Sequence, residues 1–269
     1  MKLLYCLLLG RRSFIDYDHF RELYENSQHP IVRLSGLIHK TVDLIAEFQE
    51  HINTGGGTGE ASLYPYLRKM YDLDGELFQW VASLGEESKY EGHVSILVDK
   101  PSYLQNLMTM PGAPDRFIIY GDLPLAYMWN LYRVLRIALH SAILKSTQPD
   151  MDNETMLSSE EESFWTIRSE FDELCSSVYS YFIIPVAGRS ETSDTESLIG
   201  LRQFFLLLPL RISMNTLQTL PTNPVPRERW RWVQHVVLFL FRLNHMGREA
   251  EQHSQIGCYG IEDDVPLCV

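Results

Sequence analysis

Residues 122–145 read DLPLAYMWNLYRVLRIALHSAILK, and this stretch decides the fold. Asp122 has the side chain of a helix N-cap, and Pro124 stands at or near the first helical position, where its missing N–H costs nothing. The spacing predicts a strong helix over Leu123 to Lys145. Similar signals recur on both sides. His29-Pro30 opens a segment to about Glu50, with Leu34, Leu37, Ile38, Leu44, Ile45 and Phe48 on a broad apolar face. Leu63 to Ser83 repeats the pattern through Leu67, Met70, Leu77, Trp80 and Val81, with Pro65 near its first turn. Downstream, Ser158 with Glu161 and Ser159 with Glu162 are overlapping capping boxes. They precede a helix ending near Phe182, with Phe164, Ile167, Phe171, Leu174, Val178 and Tyr181 on its stripe. Glu196 to Leu220 reads as a buried helix interrupted near Pro209. Pro226 to about Met246 closes the series, with Trp230, Val233, Val237, Leu240 and Phe241 inward and Gly247 as its cap.

Strand signals are scarce. Val94 to Val98 is a short strand or extended strip, and Pro101 to Pro114 reads as irregular. The expected fold is therefore all-α: a single multi-helix domain of about seven helices with irregular connections over residues 1–257. An acidic and apolar C-terminal tail, 258–269, is expected to be free of it.

The chain has 269 residues with 23 Lys+Arg and 35 Asp+Glu, a formal net charge of −12. These numbers exclude bulk electrostatic attraction to nucleic acid or to an anionic membrane surface. The Arg-dense stretch Arg227, Arg229 and Arg231 alternates along a helix, so successive side chains diverge by about 200° and cannot all face one groove. No apolar run reaches the roughly 18–20 residues that cross a bilayer. The apolar start, Leu3 to Leu9, is followed by Arg11-Arg12 without a small-residue cleavage site and reads as a core helix rather than a signal peptide. The four cysteines, Cys6, Cys175, Cys258 and Cys268, form no C-x-x-C pair and favour a reducing compartment.

Four patterns invite a chemical reading. Gly55-Gly56-Gly57-Thr58-Gly59 follows a helix rather than a strand and lacks a phosphate-binding lysine, so it reads as a linker. Asp150, Asp152, Glu154 and Glu161 fall at positions 1, 3, 5 and 12 of a calcium loop, but Thr155 stands where the sharp turn needs glycine. His245, Glu249 and His253 share a face only if the last helix passes Gly247, and no metal is expected there. Trp129, Arg133, Arg136 and His140 line one stripe of the central helix, flanked by Tyr132. Rings beside guanidinium groups can hold an anionic or aromatic ligand. The competing reading pairs these arginines with acids of the 160–173 segment. No nucleophile, base, carboxylate pair or cofactor motif stands out, so no catalytic residue and no cofactor is assigned.

Several landmarks occur in order: Leu73-Asp74-Gly75-Glu76-Leu77-Phe78-Gln79-Trp80 with Lys89-Tyr90, then Trp129-Asn130-Leu131-Tyr132-Arg133 with Arg136, then Leu207-Leu208-Pro209-Leu210, then Arg229-Trp230 to Gly247. Together they resemble the C-terminal regulatory region of fungal zinc binuclear-cluster (six-cysteine) transcription factors, over roughly residues 60–250. The Trp-Asn-x-Tyr-Arg block is the most specific part. Gly247-Arg248-Glu249-Ala250 departs from the family's usual ending, and the six-cysteine cluster is not among the 269 residues. The resemblance implies a helical regulatory domain, a nuclear or cytoplasmic setting and a link to secondary-metabolite genes. It also implies action through a protein partner, a full-length relative or a second copy, with a small-molecule effector as a further partner. The alternative is a small-molecule-binding or processing protein of a biosynthetic pathway built on the same frame. Its ligand site would be Trp129, Tyr132, Arg133, Arg136 and His140.

Overall fold

The computed structural model describes residues 2–9, 11–13, 16–55, 60–86, 92–94, 102–146, 154–183, 195–220 and 222–256. The helices are α1 (Lys2–Leu9), α2 (Arg21–Asn26), α3 (Pro30–Asn53), α4 (Glu60–Ala82), α5 (Ser102–Thr109), α6 (Leu123–Ser146), α7 (Glu154–Ser177), α8 (Ser180–Ile183), α9 (Thr195–Gln218) and α10 (Arg227–Ile256). The fold is all-α. Among the described residues, eight helices have eight residues or more, one above the number expected. A two-stranded antiparallel ribbon joins β1 (Gly92–Val94) to β2 (Phe117–Ile119), with His93 opposite Ile118.

The central helix is where the sequence puts it. Asp122 accepts a hydrogen bond from Leu125 N at 2.7 Å, as an N-cap should. Every residue from Met128 to Leu144 is buried, and α6 packs against α3, α4, α7 and α9. A helix enclosed on so many sides must be apolar or internally paired all round. The α1 segment is indeed a helix that buries Leu4, Cys6 and Leu7 and packs on α3 and α9.

Several boundaries differ from expectation. The Pro101–Pro114 stretch contains α5, whose Leu107 and Met108 are buried. The extended strip begins earlier, at Gly92, and residues 95–98 lie outside the described residues. Helix α7 starts at Glu154, so Ser158 and Ser159 occupy its second turn rather than its cap. Pro209 does not interrupt α9: Leu206 and Leu210 on either side are fully buried, and that packing outweighs one lost backbone hydrogen bond. Gly247 does not end α10 either, because one glycine costs only about 1 kcal/mol against alanine and Arg248-Glu249-Ala250-Glu251 follow. The 258–269 tail lies outside the described residues.

The phase of α10 is also corrected. Trp230 is only half-buried, and Phe241 is 37% exposed, whereas Trp232 is fully buried and donates from Nε1 to the Leu107 carbonyl at 2.8 Å. The start of α10 is fixed by the loop after α5. Gly112 has φ +86°, and a Cβ there would lie 2.2 Å from the Glu228 carbonyl oxygen, so only glycine fits. Arg229 then clamps the approach, donating to the Gly112 carbonyl at 2.7 Å and to Asp172 at 3.0 Å.

Candidate polar site on the central helix

On α6, Asn130, Arg133, Arg136 and His140 follow at intervals of three and four residues, the spacing that keeps side chains on one face. All four are buried. Opposite them, α7 presents Ser163, Glu170 and Glu173, and α4 presents Asp74. Arg136 grips Asp74 with two prongs, Nε to Oδ1 at 2.8 Å and Nη2 to Oδ2 at 3.2 Å, and gives its Nη1 to Glu170. Arg133 donates to the Tyr120 hydroxyl at 2.6 Å, to Asn130 Oδ1 at 2.9 Å and to Glu173 at 3.3 Å. Asn130 passes its own N–H to the Tyr181 hydroxyl at 2.9 Å. His140 stands with Nε2 3.3 Å from Asp74 Oδ2 and Nδ1 3.1 Å from Ser163 Oγ.

The aromatic members form a second layer. The Trp80 ring stacks on Tyr132 at 5.8 Å and meets Trp129 edge-on at 6.2 Å, while its Nε1 donates to the Pro30 carbonyl at 3.0 Å. Phe78 covers the Arg136 guanidinium at 4.2 Å, a cation–π contact.

The five residues singled out from sequence are thus brought together, but as the middle of a packed interface. Neither of two clefts, one of about 550 Å³ and one of about 230 Å³, is lined by any of them. All three guanidinium nitrogens of Arg136 donate to carboxylates. The sequence reading did not single out Asp74, Tyr120, Ser163 or Tyr181 as partners. Asp74 carried a usable signal: it falls four residues after Met70 and three before Leu77, so an acid sits on the apolar face of α4.

Burial pushes the Asp74 carboxyl up, but contacts from His140 and Arg136 outweigh it and hold its pKa below the ordinary carboxylate value. For Glu170 burial wins over Arg136 and Arg133, and its pKa is raised. The two therefore act oppositely on stability. The Asp74 contribution is fully present above the unfolded-state carboxylate pKa and is lost as pH falls through its lower folded value. Glu170 is relieved as pH falls. Below about pH 4 the Asp74 term dominates, because Glu170 is by then protonated in both states. Urea midpoints measured from pH 5 downward should fall more steeply for the wild type than for Asp74→Asn. Parallel curves would mean that Asp74 is not held ionised by this cluster.

The other sequence candidates do not assemble. Residues 154–161, positions 5 to 12 of the calcium-loop pattern, are helical in α7, so no twelve-residue loop exists; Asp150 and Asp152 lie outside the described residues. Helix α10 does carry His245, Glu249 and His253 on continuous helix, but their side chains are outside the described set. Gly56 to Gly59 are also outside it. Among the described residues no group of three His, Cys, Asp or Glu side chains is placed to hold a metal ion, and no helix is long and apolar enough to cross a membrane. Burial raises the Cys175 thiol, which leaves it a core residue rather than a nucleophile. No family model, curated protein or solved structure matches this chain.

Proposed function

We propose that the chain is a regulatory and interaction domain of the fungal zinc-cluster transcription-factor type. On this reading it works in the nucleus or cytoplasm, in the control of secondary-metabolite genes, and reaches DNA only through a protein partner. One observation carries the reading: the Trp-Asn-x-Tyr-Arg…Arg residues of α6 are spent as internal struts between α4, α6 and α7, and not as an open chemical site. Side chains committed to internal ion pairs and hydrogen bonds support a scaffold role. The order of the landmarks adds support: apart from Lys89-Tyr90, which lie outside the described residues, they fall on four helices, α4, α6, α9 and α10, that pack in series. The Arg-dense stretch supports indirect action. Arg229 is bound to Asp172 and Gly112, which leaves only Arg227 and Arg231 exposed on a chain of net charge −12.

Two measurements test this. In a gel shift at moderate salt, the purified chain should leave duplex DNA unretarded at submicromolar concentration. Tethered to an unrelated DNA-binding module upstream of a reporter, it should change transcription severalfold. Specific retardation competed by unlabelled probe, or a reporter indifferent to the tethered chain, would overturn the proposal.

A further inference from the structure

Helices α3, α6 and α9 bring their last turns to one cleft of about 550 Å³, within the roughly 300–1,000 Å³ usual for small-ligand sites. Its lining combines apolar side chains, Ile45, Phe48 and Ala142 among them, with amide and hydroxyl groups such as Asn215 and Thr219. Among the described residues that line it, Lys145 is the one charged side chain, and no Asp or Glu is present. Lys145 is half-buried and makes no hydrogen bond or ion pair among the described residues. Burial lowers its pKa, and among the described residues no acid offsets the effect. On a chain with twelve net negative charges, a partly desolvated ammonium that no carboxylate among the described residues meets is an unfilled electrostatic demand.

A plainer explanation would be that the negative ends of the helices call for a cation, an effect worth about 0.3–1 kcal/mol. At least one last-turn carbonyl of each helix already has a donor. Thr54 N and Oγ1 reach the Glu50 carbonyl at 2.9 and 2.8 Å, Ser146 Oγ reaches that of Ile143 at 2.6 Å, and Thr219 Oγ1 reaches that of Thr216 at 2.6 Å. Those side-chain donors meet part of that demand without Lys145.

We propose that this cleft binds a small organic monoanion, a carboxylate carried on an apolar body, with its head on Lys145 Nζ and its body along Ile45, Phe48 and Ala142. An amine of the same shape is rejected, because it would set its own ammonium against an unpaired one. The site shares no residue with the polar network of α6 and stands independently of the regulatory reading.

The test uses the full chain and three probes of matched length: octanoate, octanamide and octylamine. Calorimetric titration should show octanoate binding with one equivalent and at least about tenfold more tightly than either of the others, as a charge-assisted contact requires. Lys145→Met, which keeps an apolar stem, should abolish that preference and melt no lower than wild type. Lys145→Arg should retain most of it. Ala142→Leu, which narrows the cleft, should weaken octanoate at unchanged helicity. Equal affinity for the three probes, no octanoate binding by the wild type, or undiminished octanoate affinity in Lys145→Met would each overturn the proposal. If Lys145→Met fails to fold, the comparison of probes on the wild type and on Lys145→Arg decides.

Discussion

Arg136→Met should lower the free energy of unfolding by about 3–5 kcal/mol, the cost of stranding buried charges without their partner. Arg136 lies between Asp74 on α4 and Glu170 on α7, and both carboxylates are nearly enclosed, with side chains 10% and 12% exposed. Removing the guanidinium leaves Asp74 only the His140 contact and leaves Glu170 without its hydrogen-bonded partner. A Coulomb sum would overstate what the intact network adds, because desolvation offsets most of it. Replacing the whole triad, with Asp74→Leu and Glu170→Leu added to Arg136→Met, should therefore recover much of the loss. The pH dependence gives a second readout. In Arg136→Met the Glu170 carboxyl, already raised by burial, loses the cation that opposes burial, so the variant should gain more stability than the wild type as pH falls toward 5. Urea denaturation at pH 7 and pH 5 measures both effects. A variant that unfolds at the wild-type midpoint at both pH values would show that Arg136 is not the strut between these helices.

That network also marks how far the sequence could be read. The length and burial of α6 follow from its cap and its predominantly apolar composition. Arginines at 133 and 136 on such a helix require partners, and the acids at 170 and 173 lie about two and three turns beyond Ser163 on the facing helix. Asp74 was harder, because its partner is 62 positions distant and only the packing of α4 on α6 joins them. Boundaries that depend on tertiary contact were not legible. Helix α5 has eight residues, too few to hold alone, and exists because Trp232 takes its Leu107 carbonyl. Pro209 and Gly247 are local breakers overridden by their surroundings. Lys145 is the last residue of the helix that the sequence predicts, a position where the helix dipole favours a cation. Its seclusion depends on where α3 and α9 end, which no local pattern encodes.

Trp232→Ala should cost about 3–5 kcal/mol, and Trp230→Ala about 1 kcal/mol, although the two tryptophans are two residues apart on one helix. The apolar positions of α10 admit two faces. One runs through Trp230, Val233, Val237 and Leu240; the other through Trp232, Val233, Val236 and Leu240. The second is the fully buried one, because α5 lies against that edge. Trp232 is 0% exposed, so truncation opens a cavity and also strips the Leu107 carbonyl of its donor. Trp230 instead lies half-exposed over Phe171, with ring centroids 6.3 Å apart, and its loss leaves a surface that water can reach. Trp232→Phe separates the two contributions, since it keeps most of the ring volume and removes only the N–H. It should cost about 1 kcal/mol, the net worth of one hydrogen bond. Hydrogen exchange adds a spatial signature: in Trp232→Ala the amides of 102–109 should lose protection more than those of α6, because α5 loses its anchor while the central helix keeps its neighbours. If Trp230→Ala and Trp232→Ala destabilise equally and leave α5 protected, α10 is in the other phase and presents its Trp230 face to α5.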